Sequence, residues 1–124
     1  MSYRIRVEKE LEFIRISYAG YVTLNHRMDA ITELLVEYSD IISSMNCLID
    51  LRQVENTLRP IEREVFGSYV ASRGEFRNSK IATLIMPEQD RNVALFEITS
   101  DERLEYKVFD SEHEAISWLI EEGK

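Results

Sequence analysis

The sequence predicts an α/β fold: a single mixed sheet of about five strands with helices packed on it. Three observations carry that prediction. The opening residues alternate between apolar and charged, short apolar runs such as "CLID" and "KIATLIM" read as strands covered on both faces, and apolar stripes at helical spacing lie between them.

Tyr3, Ile5 and Val7 alternate with Arg4 and Arg6, and Phe13, Ile14, Ile16 and Tyr18 follow the "EKEL" break, so the chain opens with two antiparallel strands. In "AGYVT", Gly20 relaxes the backbone and Thr23 caps a helix whose apolar positions are Leu24, Met28, Ile31, Leu35 and Tyr38. "NCLIDL" is a central strand of parallel type, expected to break at Asp50. Pro60 suits the first turn of the next helix, where its missing N–H is no loss, and Ile61, Val65, Tyr69 and Phe66 form the inward stripe up to Gly74. "KIATLIMP" is a further buried strand, closed by Pro87. "DRNVALFEIT" fits either a helix or a strand; Asp90 as a cap and the position between two strands favour a short helix. "LEYKVF" supplies the last strand and "DSEHEAISWLIEE" the last helix, with Ser111 and Glu114 spaced as a capping box and Ala115, Ile116, Leu119 and Ile120 facing inward. This succession gives a layered fold with right-handed crossovers. The first strand is expected at a sheet edge, where pairing with a second copy would make a homodimer.

A chain of 124 residues fits one domain, residues 1–124, large enough to bury its own core. With 44% hydrophobic and 31% charged residues it has the composition of a globular protein, not of a disordered one. A net charge of −8 argues against nucleic acid or an anionic membrane surface as partner, because both reward basic patches. The acid is unevenly spread, since seven basic residues face six acidic ones between Arg52 and Arg91. No apolar run approaches the roughly 20 residues a membrane helix needs, and "MSYRIRVEKE" lacks the unbroken apolar stretch of a signal peptide. A cytoplasmic protein without membrane insertion is the expectation. The lone Cys47 has no internal disulfide partner and reads as a small buried hydrophobe in a strand.

Signatures of chemistry are few. Gly20, Gly67, Gly74 and Gly123 are too scattered to cradle a phosphate or a dinucleotide. His26 and His113 fall near helix starts and have no Cys or second His at metal-ligand spacing, so neither a metal site nor a cofactor is expected. No serine sits on a glycine-flanked strand-to-helix elbow, which removes most support for a hydrolase. What remains is geometric, because ligands and partners of open α/β sheets meet the loops at the carboxyl ends of parallel strands. Those loops are 19–23, 50–57, 86–90 and 109–111. They carry the opposite charges of Asp50 and Arg52, the aromatic surface of Tyr21, and Asn56 and Thr57 close to a helix start, while Arg59 and Arg63 form a positive stripe one turn long. Two readings stand side by side. Either Asp50 caps the turn, Arg52 neutralises it and Thr57 or Asn56 caps the helix, or these residues mark an edge that recognises a partner.

The strand pair, "AGYVT" into a helix, "CLIDLR" into a helix and the closing "YKVFDSEHEAISWL" resemble the SpoIIAA-like, STAS-related family over nearly the whole chain. STAS stands for sulfate transporter and anti-sigma factor antagonist; the resemblance implies a non-catalytic regulatory module on a mixed sheet. Its most specific pieces are Asp50, Leu51 and Arg52 after the third strand, and Phe109, Ala115, Trp118 and Leu119 at the end, with Trp118 and Leu119 in the core. True anti-sigma factor antagonists carry a phosphorylatable serine behind an aspartate at the start of the helix after this strand. Here the loop reads "RQVENTLRP" and has no such pair. Thr57 is its hydroxyl, either an ordinary helix cap or a phosphoacceptor favoured by the helix start and by Arg59 and Arg63. The chain order is also similar to that of the lipid-binding CRAL-TRIO fold, which implies a second use of the interior, a cavity for a small apolar ligand lined by Met28, Phe66, Tyr69 and Met86. Those residues serve equally as core.

The leading expectation is thus an interaction module that binds a protein partner around Tyr21, Asp50, Arg52, Thr57, Arg59 and Arg63. The alternative is a carrier or sensor of a small apolar ligand. A third reading, an enzyme, would rest on Asp50 with Arg52 or Glu88 with Asp90 as acid and base.

Overall fold

The alternation at the start of the chain becomes a hairpin. In the computed structural model, which describes residues 3–42, 44–76, 79–90 and 105–121, strand β1 (Tyr3–Glu8) pairs antiparallel with β2 (Phe13–Gly20). The turn is closed by Glu12, whose N–H donates to the Glu8 carbonyl at 2.7 Å and whose φ of 61° lies in the left-handed region. Strand β2 then runs parallel to β3 (Asn46–Val54), β3 to β4 (Lys80–Leu84), and β4 to β5 (Glu105–Phe109). The order β1-β2-β3-β4-β5 follows the chain, with β1 on an edge as expected.

Between the strands lie α1 (Leu24–Glu37), the short α2 (Ser39–Ile42), α3 (Pro60–Ser72), a 3-10 turn (Gly74–Phe76) and, after β5, α4 (Glu112–Ile120). Thr23 caps α1: its hydroxyl accepts from the His26 N–H at 3.1 Å while His26 Nδ1 accepts from the Thr23 N–H at 3.2 Å. The residues of α1 that reach the interior are Arg27, Ala30, Ile31, Leu34 and Leu35, flanked by half-buried Leu24, Met28 and Tyr38. Pro60 opens α3 as expected. Its cap, however, is Arg59, whose N–H donates to Glu62 Oε1 at 3.0 Å, so neither Asn56 nor Thr57 takes that role.

The inward stripe of α3 also differs from expectation. Phe66, Gly67 and Val70 are buried, whereas Ile61 and Val65 are exposed. The helix carries two apolar rows at i, i+4 spacing, and the row with the larger Phe66 takes the core beside Phe76. In α4, Ser111 Oγ accepts from the Glu114 N–H at 3.2 Å, and Ala115 and Leu119 are buried. Ile116 and Trp118 are only half-buried and Ile120 faces solvent, because a helix of nine residues lays a narrow stripe on the sheet.

Strand alternation sorts the core into two layers. Ile14, Ile16, Cys47, Ile49 and Ile81 pack with α1 and α3 on one face; Phe13, Leu48, Ala82 and Leu84 pack with Ala115 and Leu119 of α4 on the other. Full burial of such a side chain is worth about 1.5–3 kcal/mol, against about 0–1 for an exposed ion pair, so these layers and not surface charge hold the sheet together.

One strand boundary corrects the sequence reading. Strand β3 does not stop at Asp50 but continues to Val54. Asp50 is the last β3 residue paired with β4, opposite Leu84. Beyond it β3 pairs with β2 alone, and the register shifts so that Leu51 and Arg52 together stand against Tyr18, a β-bulge. The helix expected over "DRNVALFEIT" lies, apart from Asp90, outside the described residues. No described helix is long and apolar enough to cross a membrane.

Candidate functional site

Because β3 outruns β4, its far carbonyls lose their ladder partners on that side and must be satisfied otherwise. Gln89 does this: its Nε2 donates to the carbonyls of Leu51 (3.0 Å) and Val54 (3.3 Å), while its Oε1 accepts from the Met86 N–H at 2.6 Å. On the β2 side, Asn56 clasps Val22 with two bonds, accepting from its N–H at 2.8 Å and donating to its carbonyl at 3.0 Å. The Glu55 N–H adds a bond to the Gly20 carbonyl at 2.9 Å, made possible by the φ of 81° that only glycine adopts freely. The loops after β2, β3 and β4 are therefore stitched into one surface.

That surface presents Tyr21, 71% exposed, together with exposed Thr57 and Arg59. Arg59 lies within electrostatic reach of Tyr21, and its guanidinium sits 3.3 Å from Glu62, which holds the Glu62 carboxyl below its ordinary range. Arg63 is turned back, donating to the Leu58 carbonyl at 2.9 Å. Ile61 (58% exposed) and Val65 (43%) add apolar surface on α3.

Asp50 and Arg52 belong elsewhere. Two residues apart on β3, they share the face that packs under α4. The bulge frees the Arg52 N–H, which donates to Asp50 Oδ1 at 3.0 Å, and the Arg52 guanidinium grips both Asp50 oxygens at 3.0 and 2.8 Å. Arg52 also reaches Glu112 at 3.2 Å. Arg15, on β2, ties the cluster together, with Glu112 at 3.0 Å, Glu8 at 3.1 Å and Asp50 at 3.8 Å. Burial alone pushes the Asp50 carboxyl up, but the bonds from Arg52 and the charge of Arg15 outweigh it and hold Asp50 below the ordinary carboxylate range. Glu8 is held low as well, first by its bond from Arg6 and then by Arg15.

The six residues expected to form one site thus fall into two groups: Tyr21, Thr57, Arg59 and Arg63 with the stitched loops, Asp50 and Arg52 in an ion network on the α4 face. Sequence reasoning missed Arg15, Glu8, Glu112 and Gln89. Arg15 did carry a signal, since its slot between Ile14 and Ile16 places it on the face opposite those two, the face of Asp50.

Of the residues expected to line an apolar cavity, Phe66 is buried in the core, and Met28 and Tyr69 pack half-buried against it. The void among Ile16, Ile31, Leu34, Cys47, Ile49 and neighbours measures about 10 Å³.

A five-stranded mixed sheet in chain order, with helices on both faces, is the architecture that the sequence resemblance implied, and the chain has a SpoIIAA-like fold. It is similar to the crystal structure of an uncharacterized protein from the DUF3478 family with a SpoIIAA-like fold, from Shewanella loihica PV-4. The TM-score is 0.53 at 16% identity, over 94% of this chain and 91% of that one. No protein-family model matches the chain, and no curated protein does.

Proposed function

We propose that the chain is a non-catalytic regulatory module of STAS type, acting in the cytoplasm, that binds a protein partner through the loops after β2, β3 and β4. The observation that carries this reading is the stitched surface itself. Asn56 and Gln89 fix three loops before any partner arrives, which lowers the ordering cost of binding, and the fixed surface presents an exposed aromatic, an arginine and an isoleucine. Tyr and Arg, along with Trp, are enriched among the residues that carry most of the binding energy of interfaces. Asp50 and Arg52 act one layer below, setting the bulge that aims the end of β3.

The test is capture of partners from cell extract with the wild-type chain, Tyr21→Ala and Arg59→Glu, all checked for equal thermal melting. Loss of a specific protein band in both variants is expected; equal recovery in all three moves the interface off these loops. Thr57, exposed beside Arg59, is the position at which phosphate would switch this surface. Incubation with extract and ATP, followed by intact-mass measurement of wild type and Thr57→Ala, tests that assignment, and an unchanged wild-type mass removes it. The alternative, an apolar ligand carrier, has less support, because small-molecule sites run to about 300–1,000 Å³ and the interior void is about 10 Å³.

A further inference from the structure

We propose that the half of the sheet not covered by α4 is a binding site for a phosphate monoester group on a small molecule. The site is the cleft where Arg4, Arg6 and Arg15 gather beside Ser17 and Gln53, and it does not depend on the loop interface.

Register builds this cleft. On the antiparallel pair β1–β2, Arg4 stands directly opposite Ser17 and Arg6 directly opposite Arg15. Alternation sends all four side chains to the α4 side of the sheet, but α4 packs on β3, β4 and β5. The side chains of Arg4, Arg6, Arg15 and Ser17, with Gln53 from the far end of β3 and Tyr3 at the edge, line a cleft of about 270 Å³. That size approaches the lower end for small-molecule sites.

Electrostatics select the ligand. Like charges directly opposite on a strand pair repel, so the Arg6–Arg15 pairing is unfavourable unless an anion lies between. Glu8 supplies one carboxylate, bonded to Arg6 at 2.9 Å and to Arg15 at 3.1 Å. Arg15 is held in addition by Glu112 at 3.0 Å and Asp50 at 3.8 Å, so the positive charge left open to a ligand in the cleft is that of Arg4. Among the described residues no carboxylate pairs with Arg4, and neither the Ser17 hydroxyl nor the Gln53 amide has a protein hydrogen-bond partner. The open donors lining the cleft are thus the planar guanidinium fork of Arg4, the Ser17 hydroxyl and the Gln53 amide. A dianionic phosphate with three acceptor oxygens satisfies such a set more fully than a single carboxylate does.

The experiment is an amide-resonance titration of the full chain with inorganic phosphate, sodium chloride being adjusted to keep ionic strength constant. Saturating shifts at Arg4, Arg6, Ser17 and Gln53 are expected. Arg4→Ala, a change at an exposed side chain, should raise the dissociation constant at least tenfold, Ser17→Ala should raise it severalfold, and Arg73→Ala, at the end of α3 on the other face of the sheet, should leave it unchanged. Shifts that do not saturate, shifts spread over the whole chain, or equal affinity in wild type and Arg4→Ala would each overturn the proposal.

Discussion

Arg52 holds Asp50 with three hydrogen bonds, one from its backbone N–H at 3.0 Å and two from its guanidinium at 3.0 and 2.8 Å. The contact is local in sequence, yet it is possible only because the bulge opposite Tyr18 takes that N–H out of the ladder. Side chain and backbone irregularity thus support each other. With Arg15 and Asp50 both only 13% exposed, the cluster is screened from water more than a surface pair is.

Asp50→Asn should therefore destabilise the fold by about 1–3 kcal/mol at neutral pH, the cost of weakening bonds to a partly buried charged group. The effect depends on pH with a defined sign. Folded Asp50 and Glu8 lie below their ordinary values of 3.8 and 4.5, so the unfolded chain takes up protons first as pH falls. Their stabilisation is present above those ordinary values and lost as pH falls through the folded ones. Urea midpoints measured from pH 6 to pH 2 should fall less steeply for Asp50→Asn than for wild type.

At the alkaline end the relevant group is Tyr3. Its hydroxyl donates to Glu33 at 2.8 Å, and that bond, followed by burial and the Glu33 charge, raises its pKa from 10.0 to about 12. A raised pKa stabilises below the unfolded value and ceases to do so as pH climbs through the folded one. Wild type should lose stability between pH 10 and about 12, and Tyr3→Phe should lose less over that range while being about 1 kcal/mol less stable at pH 7.

Burial pushes the Cys47 thiol up to about 12, and the side chain is sealed between α1, α3 and the sheet. A disulfide reagent at pH 8 should not label the native protein, because neither thiolate nor access is present. In denaturing guanidinium it should label one thiol per chain. Rapid native labelling would show that the core opens far more often than its packing implies.

Asn56→Ala removes both bonds to Val22 and leaves a part-buried N–H without its acceptor. A loss of about 1–3 kcal/mol is expected. The local readout is sharper: hydrogen exchange at the Val22 amide should accelerate strongly, while Ile16 and Ile49 in the central strands keep their protection.

How much of this was legible in the sequence varies with the range of the interaction. The β1–β2 hairpin, the Thr23 cap, Pro60 at the head of α3 and the Ser111 cap depend on neighbours within a few residues, and each was readable. The end of β3 was not. A charged residue after "CLI" looks like a strand end until one knows that Arg15, 35 residues earlier, and Glu112, 62 residues later, meet Asp50 and Arg52 there. The buried face of α3 failed for another reason: Ile61 and Val65 have the right spacing and chemistry, and only the docking of Phe66 and Val70 against Phe76 decides between the two rows. Gln89 gave no signal, because nothing in a glutamine announces that a longer neighbouring strand needs its amide.

The agreement between strand order and chain order has a consequence for how the molecule assembles. Each described strand pairs with the described strand synthesised just before it, so none of these has to be threaded between two already in place. The sheet can grow outward from the hairpin as the chain leaves the ribosome, every addition closing only the loop of a single crossover. Its most exposed moment comes before β5 and α4 arrive, when Leu48, Ala82 and Leu84 still lack their cover. That interval, and not the finished protein, is where a chaperone would find its apolar surface.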